Sequence, residues 1–197
     1  MFKSNKQFKS DSARVAFLVW VYFSDYDAQI ESRGSVLHTL IGRFRAGGNP
    51  MTVWVERAEK GDIPRFASME REVGTREFIV PYEPEVHQER FADPDIVYLR
   101  IVNDRELAGF FMLAIDSDGL SVEFRRIVVK SKGRGVGQSA IPAMEDYCGS
   151  QLRRTRIWLD VFAHNTRGRH IYEKLSYRRY GERDLEGKQL LLYEKQL

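Results

Sequence analysis

Cysteine is nearly absent: Cys148 is the single one in 197 residues. No disulfide can close within the chain, and no cysteine metal cluster can form. Histidine is scarce too. His38, His87, His164 and His170 lie scattered without ligand spacing, so no metal site is expected. No apolar run approaches the roughly 20 residues that a membrane helix needs. The run Val15-Ala-Phe-Leu-Val-Trp-Val-Tyr-Phe23 follows Lys3, Lys6, Lys9 and Arg14 and so has the look of a signal-peptide core. Ser24-Asp-Tyr-Asp27 behind it offers no small-x-small cleavage site, so a cytoplasmic protein is expected. A strand or helix packed on the rest of the chain is an equal reading of that run.

An excess of one charge is missing as well. The chain has 31 Lys and Arg against 28 Asp and Glu, a net charge of +3. The surplus sits in residues 1–50, with seven basic and four acidic residues, whereas residues 51–197 hold 24 of each. A balanced domain carries no electrostatic footprint for nucleic acid, and neither nucleic acid nor membrane is expected as a partner. There is no internal repeat and no low-complexity tract. What is present is an ordinary 43% of hydrophobic residues, in a length for which one domain is the default. Ala46-Gly-Gly-Asn-Pro50 reads as a linker. Residues 1–50 are therefore expected to be an N-terminal extension, and residues 51–197 the domain.

The informative stretch runs from Ser121 to Gln138. A strand, Ser-Val-Glu-Phe-Arg-Arg-Ile-Val-Val129, empties into the glycine-rich basic loop Lys130-Ser-Lys-Gly-Arg-Gly-Val-Gly137, and a helix begins at about Val136. Backbone amides, the cations Lys132 and Arg134 and a helix N-terminus then converge on one point, which suits a phosphate or diphosphate. A P-loop would place lysine after its second glycine, but Gln138 follows Gly137. A dinucleotide fingerprint would need a third glycine where Gln138 stands. The pattern that fits is Gln/Arg-x-x-Gly-x-Gly/Ala, the acetyl-CoA diphosphate loop, with lysine in its first slot.

Downstream, Ile157-Trp-Leu-Asp-Val161 reads as a buried strand, followed by Asn165-Thr-Arg-Gly168 and Ile171-Tyr-Glu-Lys-Leu175. In the loop at 132–137, the Asn-x-Arg-Gly at 165–168 and the Tyr-Glu-Lys-Leu at 172–175, the chain resembles the GNAT superfamily of N-acetyltransferases. It looks like the branch that holds the ribosomal-protein and polyamine acetyltransferases. The resemblance spans roughly Thr52 to Leu197. It implies an α/β fold, with a mixed, partly parallel central sheet of about seven strands. Helices would lie on both faces, and the sheet would splay between its fourth and fifth strands.

Periodicity supplies the elements. Strands are expected at 52–57, 96–102, 107–115, 121–129 and 156–161, with a closing hairpin of 177–182 and 189–195. Asp62 before Pro64 reads as the cap of a helix running to about Glu72. Residues 83–91 form an acidic helix, whose Glu83, Glu85 and Glu89 are either a solvated face or an attraction for a cationic amine. The helix from Val136 reaches about Leu152, with Ile141, Met144, Cys148 and Leu152 on one face, and Pro142 should kink it or shift its start. The last helix covers 165–175.

The resemblance also implies roles. The cofactor arm would lie along the fourth strand at Arg125, Arg126 and Ile127. The diphosphate would sit on Lys132, Gly133, Arg134, Gly135, Val136, Gly137 and Gln138. Asn165 would bond the arm, and a plain helix cap is its other reading. Tyr172, two helical turns after Asn165, matches the family's general acid, and a phenol has a suitable pKa of about 10. Asp160 falls where one branch keeps its glutamate base. Glu123 is the rival and is put first. Period two places it on one face with Ser121, Arg125 and Ile127. Unassisted or water-mediated transfer stays open. Ser176 replaces the glycine that usually stops the tyrosine helix, so that helix is expected to end differently.

The function expected is acetyl transfer from acetyl-CoA directly to a primary amine of a small molecule or a protein N-terminus, with a homodimer possible and no metal involved. A non-catalytic acyl-CoA-sensing module of the same fold is the alternative. The acceptor is not legible.

Overall fold

The computed structural model describes residues 52–73, 75, 79–130 and 134–197. The expected N-terminal extension, Lys132 and Gly133 lie outside the described residues. Strand β1 spans Val53–Arg57, and a 3-10 turn at Lys60–Asp62 leads into helix α1, Ile63–Glu70. Helix α2 is Pro84–Ala92, followed by β2 (Ile96–Asn103), β3 (Glu106–Ile115) and β4 (Ser121–Val129). Helix α3 is Val136–Ser150, β5 is Arg156–Phe162, α4 is Thr166–Lys174, and the hairpin is β6 (Arg178–Leu185) with β7 (Lys188–Gln196).

These strands form a seven-stranded sheet in the order β1-β2-β3-β4-β5-β7-β6. β4 and β5 pair in parallel, and the other neighbours are antiparallel. Each face of the sheet buries its own apolar cluster. On one, Val122, Phe124, Ile127, Ile157, Leu159 and Val161 pack against Ile141, Met144 and Cys148 of α3 and Tyr172 of α4. On the other, Tyr98, Phe110, Met112 and Val128 pack against Ile63, Phe66 and Met69 of α1. The central strands β2 and β3 are buried on both faces, which is why they read as continuous apolar runs.

Local chemistry sets the helix ends. The cap expected at Asp62 works one turn earlier. Asp62 Oδ2 accepts the Glu59 amide at 3.0 Å, closing a capping box over the 3-10 turn, and α1 inherits its start from that turn. Helix α3 runs unbroken through Pro142, which is exposed. Its one lost amide donor leaves the rest of the ladder in place.

The expectation for Ser176 is corrected. Ser176 takes the left-handed conformation, φ +70°, that a glycine would have taken. The Tyr177 amide donates to the Tyr172 carbonyl at 2.8 Å and the Ser176 amide to the Glu173 carbonyl at 3.0 Å, a Schellman stop. Serine holds it because two hydrogen bonds and the buried Tyr177 over-determine the turn. The strain is real, so Ser176→Gly should stabilise the fold by about 1 kcal/mol, read as a raised urea midpoint with unchanged slope.

Candidate active site

β4 and β5 pair only at Ser121↔Arg156, Val122↔Ile157 and Glu123↔Trp158. Beyond Glu123 the two strands diverge, although β4 continues to Val129 and β5 to Phe162. The facing edges of 124–129 and 159–162 therefore have no ladder partner across the gap. Such an opening accepts an extended segment as an added strand.

A bulge accompanies the divergence. Met112 of β3 faces Arg126 and Leu113 faces Phe124, which leaves Arg125 as the extra residue of β4. A bulge adds local twist and resets the side-chain alternation. Here it keeps Glu123, Arg125 and Arg126 on the α1 side and turns Ile127 to the α3 side. Arg125 Nε donates to Glu123 Oε2 at 2.7 Å. Arg126 reaches Glu70 of α1, and Ile127 joins the cluster under α3 and α4. The period-two grouping of Glu123 with Ile127 is thus wrong, because the alternation it assumes breaks between them.

At the end of β4 the chain reaches the α3 N-terminus. Gly135 caps it with φ +73°, a left-handed conformation natural to glycine, and no side chain caps the first turn. The first intrahelical bond is Ser139 N–H to the Gly135 carbonyl at 3.0 Å. The amides of Val136, Gly137 and Gln138 precede that bond, so they have no acceptor within the helix. Arg134 is exposed beside them. Uncapped amides, a helix dipole and a cation suit a diphosphate.

Asn165 caps α4. Its Oδ1 accepts the Gly168 amide at 2.9 Å, and the residue is 6% exposed. A Cβ on Gly168 would lie 2.8 Å from Asn165 Nδ2, so glycine here leaves room for the cap.

Two turns on, Tyr172 is fully buried. Its ring meets Phe124 and Tyr177 edge-on, with centroids 6.2 and 5.8 Å away. Its hydroxyl has no hydrogen-bond partner among the described residues. A buried phenol in a native fold normally has one, so this oxygen has hydrogen-bonding capacity to spare. Burial, and then the charge of Asp160, pushes the Tyr172 pKa well above its usual value, so the group stays protonated and keeps a proton to donate.

The two candidate bases come together across the opening. Asp160, 4% exposed, is ion-paired with Arg183 of β6. Burial pushes its carboxyl up to about 6. Glu123 adds to that rise, while Arg183 and Arg125 oppose it. Glu123 and Asp160 both stand on the α1–α2 face of the sheet, and Tyr172 packs on the other, where β4 and β5 have parted. The arrangement can accept a proton on one side and give one on the other.

Sequence reasoning had Arg125 on the face of Glu123, but only as a stretch of backbone for the cofactor arm; it missed Arg183, which no local signal announces. Cys148 is buried in α3 with its thiol pushed up to about 12 by burial, which removes it as a nucleophile. Among the described residues no group of His, Cys, Asp or Glu is placed to hold a metal, and no helix is long and apolar enough to cross a membrane.

The family model described as Acetyltransferase (GNAT) family matches residues 65–177. No curated protein is similar enough in sequence to match. Among solved structures, the chain is similar to a chimera of the spermidine N-acetyltransferase SpeG from Vibrio cholerae and hSSAT. That pair has a TM-score of 0.62 at 21% identity over 72% of this chain and 93% of the other. It is also similar to a dodecameric structure of the spermidine N-acetyltransferase from Vibrio cholerae, with a TM-score of 0.60 at 19% identity over 73% and 93% of the two chains. At these identities the likeness is one of fold.

Proposed function

The chain belongs to the GNAT family of acetyltransferases, and on that premise we propose that it moves acetyl from acetyl-CoA directly to a primary amine. The observation that carries the reading is the buried Tyr172 hydroxyl, without a partner among the described residues, beside a sheet opening that ends at uncapped helix amides. Backbone groups of Arg125, Arg126 and Ile127 would hold the pantetheine arm along β4, and Asn165 would meet it from the α4 side. The diphosphate would rest on the amides of Gly135 to Gln138, with Lys132, Gly133 and Arg134 completing the loop.

The proton balance follows from the same residues. The amine nitrogen attacks the thioester carbonyl, the C–N bond forms, and the C–S bond breaks. The proton leaving nitrogen goes to a carboxylate. The departing sulfur takes the Tyr172 proton and leaves as a thiol, and the phenolate recovers a proton from solvent. No acyl-enzyme forms, since the chain's one thiol is buried and protonated.

We take Asp160 as the base and Glu123 as its rival: burial pushes the Asp160 carboxyl up to about 6, nearer neutrality than an ordinary carboxylate, as suits an efficient base, while each acid has an arginine beside it. A base works ionised, so kcat/KM should fall as pH drops through about 6. Thiol release from acetyl-CoA with a panel of amines tests both points. Asp160→Asn should cut the rate about 100-fold and remove that acid limb. If only Glu123→Gln removes it, the base is Glu123. Failure of acetyl-CoA to bind in calorimetry would end the whole reading.

A further inference from the structure

Strand β1 forms one edge of the sheet, and among the described residues no strand pairs its outer side. The Ala58 amide donates to the Tyr98 carbonyl at 2.9 Å, and the Asp104 amide donates to the Thr52 carbonyl at 3.3 Å. Hydrogen-bonded positions alternate along an antiparallel ladder, so Trp54 and Glu56 between them also turn their backbone groups to β2. Val53, Val55 and Arg57 turn theirs away from the sheet. Their amides and carbonyls form an open edge, which natural folds rarely leave bare.

That edge borders a groove of about 480 Å³, whose other wall includes Ala143, Tyr147 and Ser150 of α3. Val53 and Val55 send their side chains to the cluster under α3. Glu56 meets Arg100 at 3.3 Å on the α1 side, and Trp54 shares that face by alternation. A strand added here would meet α3 on one face and the Trp54 side on the other, so it would need apolar residues on both.

The chain itself carries such a segment. Residues 1–51 lead directly into β1, and the run at 15–23 is apolar throughout, rich in valine and aromatic residues, and too short to span a bilayer. Residues 24–51 tether it to the edge. A linker of that length spans about 30 Å on average, enough to reach the groove, and gives the run an effective concentration on the order of millimolar. A second copy would have to bring its own five-residue β1 from dilute solution.

We propose that residues 15–23 add to the open edge of β1 as an eighth strand and fill the groove against α3. The segment expected to be a separate extension then belongs to the domain's own sheet and closes its exposed edge.

Hydrogen exchange on the full chain, resolved to single amides, tests this. The amides of Val53, Val55 and Arg57 should exchange at least about 100-fold slower than free peptide, as those of Trp54 and Glu56 should whether or not the edge is covered. Val19→Asp places a charge at the centre of the run, so the three outward amides should lose that protection while Trp54 and Glu56 keep theirs. Phe17→Ser is the milder variant should the aspartate chain fail to fold. Light scattering on the same samples reports the mass. Fast exchange of the three outward amides in the unaltered chain overturns the proposal. Protection that survives both variants overturns it too, because something else then covers the edge. Protection that fades on dilution, as a dimer dissociates, gives the groove to a second copy and also overturns it. No outcome depends on acetyl transfer.

Discussion

Tyr172→Phe should lower kcat by about 100- to 1,000-fold while the protein becomes no less stable. The two halves of this result have one cause. The hydroxyl is buried and has no partner among the described residues, so the fold carries the cost of desolvating it without a compensating bond from them. Deleting it removes that cost and leaves a ring of nearly the same shape between Phe124, Tyr177 and Tyr193. Thermal unfolding should therefore show an unchanged or raised midpoint. In the proposed reaction the same oxygen would give the leaving sulfur its proton on the α4 side of the opening, and its raised pKa keeps it protonated across the working range. KM for acetyl-CoA should change little, because the diphosphate loop and the β4 edge do not depend on the hydroxyl. Steady-state kinetics beside a melting curve measures all of this. A variant with full kcat would show that the leaving sulfur takes its proton elsewhere. A variant that melts much earlier would show an ordinary core tyrosine whose hydroxyl had found a partner.

The site was legible in the sequence where its chemistry is local. The bounds of β4, the start of α3 at Val136 and the cap at Asn165 follow from apolar patterning, a glycine and an asparagine. Each is decided by neighbours within a few residues. The parallel pairing and the splay between the fourth and fifth strands came with the family resemblance, since no single strand encodes where its neighbour departs; that the pairing ends after Glu123 comes from the structure. What stayed hidden is what the sheet brings together. The bulge at Arg125 involves no glycine and no turn residue. It appears only in the register against β3, and it alone decides which face Ile127 takes. Arg183 reaches Asp160 from 23 residues away across an intervening strand. The two candidate bases differ in burial and in the arginines around each, and neither is a property of the residue type.

The most distant of these pairings carries the largest expected effect on stability. Arg126→Met should destabilise the fold by about 3–5 kcal/mol at pH 7. Arg126 and Glu70 are 1% and 0% exposed and form an ion pair 56 residues apart in the chain, joining the splayed strand β4 to helix α1. Arg126 also donates to the Val80 carbonyl at 3.1 Å and lies over the Tyr82 ring, 4.4 Å from its centroid. Glu70 in turn accepts the Tyr82 amide at 2.7 Å and faces His87 Nε2 at 3.4 Å. Removing the guanidinium leaves a carboxylate in the core without its main counter-charge. The pH dependence should then change sign. Burial by itself would raise the Glu70 pKa, but the nearby His87 ring and the Arg126 charge outweigh it and leave the pKa below 4.5. A carboxylate with a depressed folded pKa stabilises above its unfolded pKa, and that contribution fades as pH falls from about 4.5 through the folded value. In Arg126→Met the burial cost stands with its largest charge partner gone. Protonating Glu70 then relieves the core, and the deficit against the unaltered chain should shrink as pH is lowered toward 4.5. Urea unfolding of both proteins at pH 7 and near pH 4.5 shows the two slopes. A deficit below about 1 kcal/mol, or one that does not narrow with acid, would mean that water reaches this pair and that β4 is held to α1 by apolar packing alone.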